Sequence, residues 1–178
     1  MASRNHLPQP GLIPFLYAVA DPDLPDRPRR KNTKRTGELG EAAFLHKAAS
    51  LGFKILRPWG DSERYDFVID AGAGFRRVQV KCTESINAHG YQIQSIYCDG
   101  RRKAKLTLRD IDFLAAYIIP LDLWYIVPVR AFPASASLRF YPDSIRAPRH
   151  AKRLSPKAKP RLRARLEPYR EAWCLFRE

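Results

Sequence analysis

The apolar positions of this chain change period several times, and each change marks an element. Leu39, Ala42, Ala43, Leu45, Ala48 and Ala49 recur at helical spacing. Thr36 and Glu38 before them are helix-start signals, and Gly52 supplies the stop. The pattern predicts a helix over 36–51. Shorter runs rich in β-branched and aromatic residues follow at 53–57, 65–71 and 75–82, with a weaker alternation at 91–97. Gly60-Asp61-Ser62-Glu63 and Gly72-Ala73-Gly74 read as the turns between the first three. The stretch 108–117 suits a helix with Ile111, Leu114 and Ala115 inward. The run 123–129 is almost continuously apolar and bounded by prolines, as a buried strand would be.

The flanks have a different character. Residues 1–33 carry Pro8, Pro10, Pro14, Pro22, Pro25 and Pro28, which break helices, and a basic cluster from Arg27 to Lys31. They predict an extended arm, either a solvated tail or a segment that touches a polyanion. Residues 34–145 predict one folded domain, and 146–178 a basic, proline-interrupted tract. That tract closes on Tyr169, Ala172, Trp173, Leu175 and Phe176, apolar enough to dock a short terminal helix on the core.

Composition narrows the partner. A hydrophobic fraction of 45% in 178 residues supports a real core. A formal net charge of +14 and a pI near 10.1 point to a polyanion, with nucleic acid first. Cys82, Cys98 and Cys174 form no paired or zinc-like spacing and read as reduced thiols of a cytoplasmic protein. No run is long enough to suggest a membrane span, and the apolar stretch 12–20 is too short and is broken by Pro14 as a secretory leader.

The chemistry-bearing feature is the strand Arg77-Val78-Gln79-Val80-Lys81. Alternation places Gln79 and Lys81 on one face, Val78 and Val80 on the other. Asp66 lies on the preceding strand, so hairpin pairing can bring its carboxylate beside them. Asp66 and the Gln79 amide oxygen suit a hard cation such as Mg²⁺, and Lys81 suits charge on a phosphate. A helix acid, Glu41 or Glu38, would complete the set; the two lie one turn apart.

Three ordered segments carry a family resemblance: Gly37-Glu38-Leu39-Gly40-Glu41, Pro58-Trp59-Gly60-Asp61-Ser62-Glu63-Arg64-Tyr65-Asp66, and Val78-Gln79-Val80-Lys81. They resemble the PD-(D/E)XK nuclease superfamily, and more closely the group I intron-associated PD-(D/E)XK endonucleases, which also carry Gln at the position of the second acid. Asp110-Ile111-Asp112-Phe113 and Trp124-Tyr125-Ile126-Val127-Pro128 extend the resemblance, which covers about residues 33–130. It implies an α/β restriction-endonuclease-like core, a mixed central β-sheet flanked by helices. It implies Glu41, Asp66, Gln79 and Lys81 as catalytic residues, with Asp66, Gln79 and Glu41 (Glu38 as the alternative) on Mg²⁺ or substituting Mn²⁺. Glu41 is favoured because it follows Gly40. The substrate implied is double-stranded DNA, and cutting both strands favours a homo-oligomer; no membrane and no small-molecule cofactor are expected.

Candidate DNA contacts are Arg101, Arg102, Lys103 and Lys105 in one basic loop, and Arg149, Lys152, Arg153, Lys157, Lys159, Arg161 and Arg163 in the distal tract. Glu63 and Arg64 read as a loop ion pair. Trp59, Tyr65, Trp124 and Tyr125 read as packing residues, with base stacking as the other use. Gln79 keeps a rival function open, a nucleic-acid-binding protein that does not cut; a second rival is a structure-selective nuclease or resolvase, which branched DNA would separate.

Overall fold

Nine residues, Phe75–Thr83, form the strand on which the molecule is organised. The computed structural model describes residues 33–60, 62–72, 74–87, 90–99, 102–132, 136–142 and 165–178, all within the unit Asn32–Glu178. In chain order the elements are α1 (Thr33–Ser50), β1 (Lys54–Leu56), β2 (Phe67–Asp70), β3 (Phe75–Thr83), β4 (Ile86–Asn87), β5 (Gly90–Gln94), β6 (Ile96–Asp99), β7 (Arg102–Lys105), β8 (Phe113–Ile118), β9 (Leu123–Pro128) and β10 (Ser137–Phe140). The main sheet runs β1-β2-β3-β8-β9. Its pairs are antiparallel except β3 with β8, which is parallel. This is the mixed α/β, restriction-endonuclease-like core that the sequence implies.

One face of this sheet carries α1. Phe44 and Ala48 pack with Phe67, Ile69, Val78, Val80, Ala115, Trp124 and Ile126, closed by Trp173 and Phe176 from the C-terminal 3-10 turn Trp173–Arg177. Phe44 is the hub of this layer. Its ring stacks on Phe67 at 5.2 Å and meets the Trp173 and Trp124 rings at 5.6 and 5.7 Å. The other face is covered by strands: Tyr91, Ile93, Leu138 and Phe140 of the small sheet β10-β5-β4 pack on Leu114, Ala116, Tyr125 and Val127. The C-terminal segment is also fastened by polar contacts. The Glu171 carboxylate accepts the Trp124 backbone N–H at 2.8 Å and the Trp173 indole N–H at 2.9 Å.

Several expectations change. The helix starts at Thr33, so Thr36 is inside it; its hydroxyl donates to Glu84 Oε1 rather than capping. The buried face of α1 is Gly40, Phe44 and Ala48, while Leu39 and Leu45 face outward. Period alone could not choose between two apolar stripes on one helix. The stretch 108–117 is not a helix but a turn followed by β8, whose every residue is buried. A strand covered on both faces loses its alternation, and Ala115-Ala116 adds helical propensity to the confusion. The alternation at 91–97 belongs to two strands, β5 and β6, separated by the buried Ser95. The basic run expected as a loop at 101–105 is, over Arg102–Lys105, the strand β7 paired with β6; no element was expected at β4 or β10. Among the described residues α1 is the sole α-helix, so the second layer over the sheet is β-structure.

Candidate active site on the central strand β3

Asp66 ends the loop that feeds β2. The register pairs Phe67 with Val78, and one further step sets Asp66 opposite Gln79; the Asp66 N–H donates to the Val78 carbonyl at 2.9 Å. The predicted pairing is therefore present. Asp66 Oδ2 accepts the Gln79 amide at 2.5 Å and the Val80 backbone N–H at 2.7 Å. The Gln79 nitrogen also lies 3.4 Å from the Val80 carbonyl oxygen. The Gln79 amide thus lies against two oxygens, the Asp66 carboxylate and the Val80 carbonyl. The two ends of the amide are nearly isosteric, so with the amide turned over its oxygen would join them as a further hard donor.

Gln79 is only 7% exposed. Burial likewise removes water from Asp66, and this desolvation pushes its carboxyl up to about 6, against the lowering effect of the Val80 N–H. The negative charge of Glu41 raises it further, while Lys81 and Arg57 oppose. A desolvated carboxylate with an amide and a carbonyl oxygen beside it is a donor set suited to a hard divalent cation. Among the described residues no group of three His, Cys, Asp or Glu side chains converges on one point. Protein ligands beyond the carboxylates of Asp66 and Glu41 would here come from the Gln79 amide or the Val80 carbonyl.

Glu41 reaches this site because α1 lies unusually close to β3. A Cβ on Gly40 would stand 2.8 Å from Cys82 Sγ, so only glycine lets the helix settle there. Cys82 Sγ in turn donates to the Thr36 carbonyl at 3.1 Å. That close approach gives Gly40-Glu41 a physical reason. The Glu41 carboxylate is engaged by Arg57, Nη2 to Oε2 at 3.1 Å. Glu38 is exposed on α1. Lys81, two residues beyond Gln79, is half-buried on the same strand face.

Two arginines, Arg64 and Arg77, fix the loops around the site. Arg64, expected to pair with Glu63, reaches Asp110 and Tyr97 among the described residues. It donates to Asp110 Oδ1 at 2.9 Å and to the Tyr97 hydroxyl, with its guanidinium 4.0 Å from the Tyr97 ring centroid. Asp110 also accepts the Thr107 N–H and hydroxyl at 2.9 and 2.7 Å. Against desolvation, these hydrogen bonds from Thr107 and Arg64 hold its carboxyl below the usual range. Arg77 grips Asp112 (Nε to Oδ2 3.2 Å, Nη2 to Oδ1 3.1 Å) and the carbonyls of Leu108 and Arg109. The repeated acids of Asp110-Ile111-Asp112 therefore anchor the 107–112 turn to the Asp66 loop and to β3. Their spacing around Ile111, which is buried, was the available signal.

Trp124 and Tyr125 are core residues and Tyr65 packs partly against the core. Trp59 does not pack: it is fully exposed on the loop between Arg57 and Asp66. Lys103 and Lys105 are exposed on β7, and Arg102 belongs to the same strand. Arg101 and all of Arg149, Lys152, Arg153, Lys157, Lys159, Arg161 and Arg163 lie outside the described residues. A cleft of about 260 Å³ lined by Phe75, Phe113 and Leu175 opens near the start of β3, away from Gln79 and Lys81.

On this restriction-endonuclease-like sheet Asp66 and Gln79 meet across the β2–β3 pair, with Lys81 two residues further along β3. Residues 31–156 match the family described as PD-(D/E)XK endonuclease, and the chain belongs to that family. A solved bacterial homing endonuclease, I-Ssp6803I, is similar to it, with a TM-score of 0.61 and 27% identity over 82% of this chain and 93% of that one. No curated protein matches.

Proposed function

We propose that the protein is a metal-dependent endonuclease that hydrolyses phosphodiester bonds of double-stranded DNA. The observation that carries this reading is the desolvated Asp66 carboxylate bonded to the Gln79 amide and the Val80 N–H, with the Val80 carbonyl against that same amide and Lys81 two residues beyond Gln79. Asp66, the Gln79 amide oxygen, the Val80 carbonyl and Glu41 would hold Mg²⁺, or Mn²⁺ in its place. When bound, that cation supplies Lewis-acid activation of the phosphodiester and lowers the pKa of water. Lys81 sets a fixed positive charge where the phosphate gains negative charge. The Arg64–Asp110 bond holds the loop that delivers Asp66.

DNA as the substrate accords with the net charge of +14. It also accords with β6 and β7, an antiparallel ribbon bearing Lys103 and Lys105. A two-stranded ribbon is narrow enough for a major groove. Tyr97, in β6, ties the base of that ribbon through Arg64 to the Asp66 loop. Trp59 offers an aromatic face for a base at the rim, and the arm 1–33 and the tract 146–164 would add backbone contacts. Two copies would serve two strands, and the outward apolar residues Leu39, Ala42, Leu45 and Ala49 of α1 support such pairing.

The test is supercoiled plasmid and branched DNA incubated with Mg²⁺ or Mn²⁺. The expected result is metal-dependent nicking that falls on the order of 10³-fold in Asp66→Ala and Lys81→Ala, with duplex binding retained. Equal inertness of wild type and both variants on every DNA form would favour the non-cutting reading, for which Gln79 is the supporting observation. Activity confined to branched DNA would favour a resolvase.

A further inference from the structure

We propose that Arg57 is a phosphate-binding residue, held by Glu41 until a divalent cation takes that carboxylate. The inference rests on the nuclease reading and adds to it a residue outside the family's motif set. Arg57 follows β1, and its guanidinium bonds Glu41 at 3.1 Å. It lies 6.0 Å from the ring centroid of Phe67, the neighbour of Asp66, and its charge acts on Asp66 itself. Arg57 therefore faces the helix acid and the strand acid together.

The charge balance makes this placement consequential. Without a cation, Asp66 and Glu41 are offset by Lys81 and Arg57, and Gln79 adds nothing. An acid at position 79 would leave the same cluster negative. When a divalent cation claims Glu41, Arg57 loses its partner inside a site that has turned positive. The nearest new anion is then a DNA phosphate, which the planar guanidinium fork matches with two parallel hydrogen bonds. The exchange costs little, because the Arg57 side chain is 71% exposed and such pairs are weak. It also means that Arg57 competes with the cation for Glu41.

The two effects of Arg57 have opposite signs, so one variant separates them. Ca²⁺ binding to the full-length protein is measured by calorimetry, and binding of a labelled duplex of arbitrary sequence by anisotropy at saturating Ca²⁺. In Arg57→Gln, Ca²⁺ should bind roughly threefold to tenfold tighter, while the Ca²⁺-saturated protein holds the duplex weaker by a similar factor. Arg57→Lys should fall between, keeping the charge but losing the fork. If both affinities drop together, or neither moves, the proposal is overturned and Arg57 is a structural or spectator residue. If Asp66→Ala leaves wild-type Ca²⁺ binding unchanged, the nuclease site itself fails, a result distinct from failure of Arg57 alone.

Discussion

On one face of β3, Val78 and Val80 are buried against α1 and an aromatic cluster. On the other, Gln79 is just as buried, at 7% exposure, and its amide is spent on Asp66. The same two-residue alternation serves both. On the valine face, burial is stabilising, because apolar area leaves water with no polar group left behind. On the glutamine face, burial opposes folding, because it strips water from a carboxylate whose charge is only partly compensated. The first face holds the fold; the second, at some cost in stability, carries the site proposed for the chemistry.

The comparison can be broken from either side, beginning with the larger effect. Phe44→Ala empties the hub of the α1 layer and should cost about 3–5 kcal/mol in denaturant unfolding. A loss under 1 kcal/mol would show that the aromatic layer is not what holds α1 down.

On the polar face the sign reverses. The Asp66 carboxyl is raised from its ordinary 3.8 to about 6, so the folded state binds its proton more tightly than the unfolded chain does. Metal-free stability should therefore be favoured below 3.8, decline as pH rises through about 6, and level off above it. The gap is worth on the order of 2–3 kcal/mol. Asp66→Asn should remove that decline and raise metal-free stability near pH 7. Parallel pH–stability curves for the two proteins would contradict this.

The smallest effect sits where the faces meet. Gly40→Ala gains about 1 kcal/mol of helix propensity but drives a methyl into Cys82 Sγ, and overpacking costs about 1–3 kcal/mol. A net loss near 1 kcal/mol is expected, with a larger fall in any activity that needs Glu41. Adding Cys82→Ala should restore much of both. If the double variant recovers nothing, the close approach of helix and strand is not what positions Glu41.

How much of this could be read beforehand follows the same division. Alternation along β3, the helical spacing that stops at Gly52 and the turn at Gly72 are local signals, and they located α1, β2 and β3 as well as the pairing of Asp66 with Gln79. Local signals failed where burial was two-sided. Phe113–Ile118 reads as helix because a strand covered on both faces has no polar phase. They failed again for long-range partners: nothing adjacent to Arg64 announces that its acid is Asp110 and its aromatic Tyr97. Trp59 could not be separated from Trp124 by type, although one is fully exposed and the other is core.

On the proposed reading the polar face of β3 is a cation site at which DNA is cut. The most direct test of that reading is a crystal structure with Mn²⁺ and duplex DNA, read by the anomalous signal of manganese. The account predicts a Mn²⁺ peak within coordination distance of Asp66 and the Val80 carbonyl, with the Gln79 amide turned oxygen-inward and a phosphate beside Lys81. A DNA complex with the Gln79 nitrogen still on Asp66 and no manganese peak at that point would contradict it.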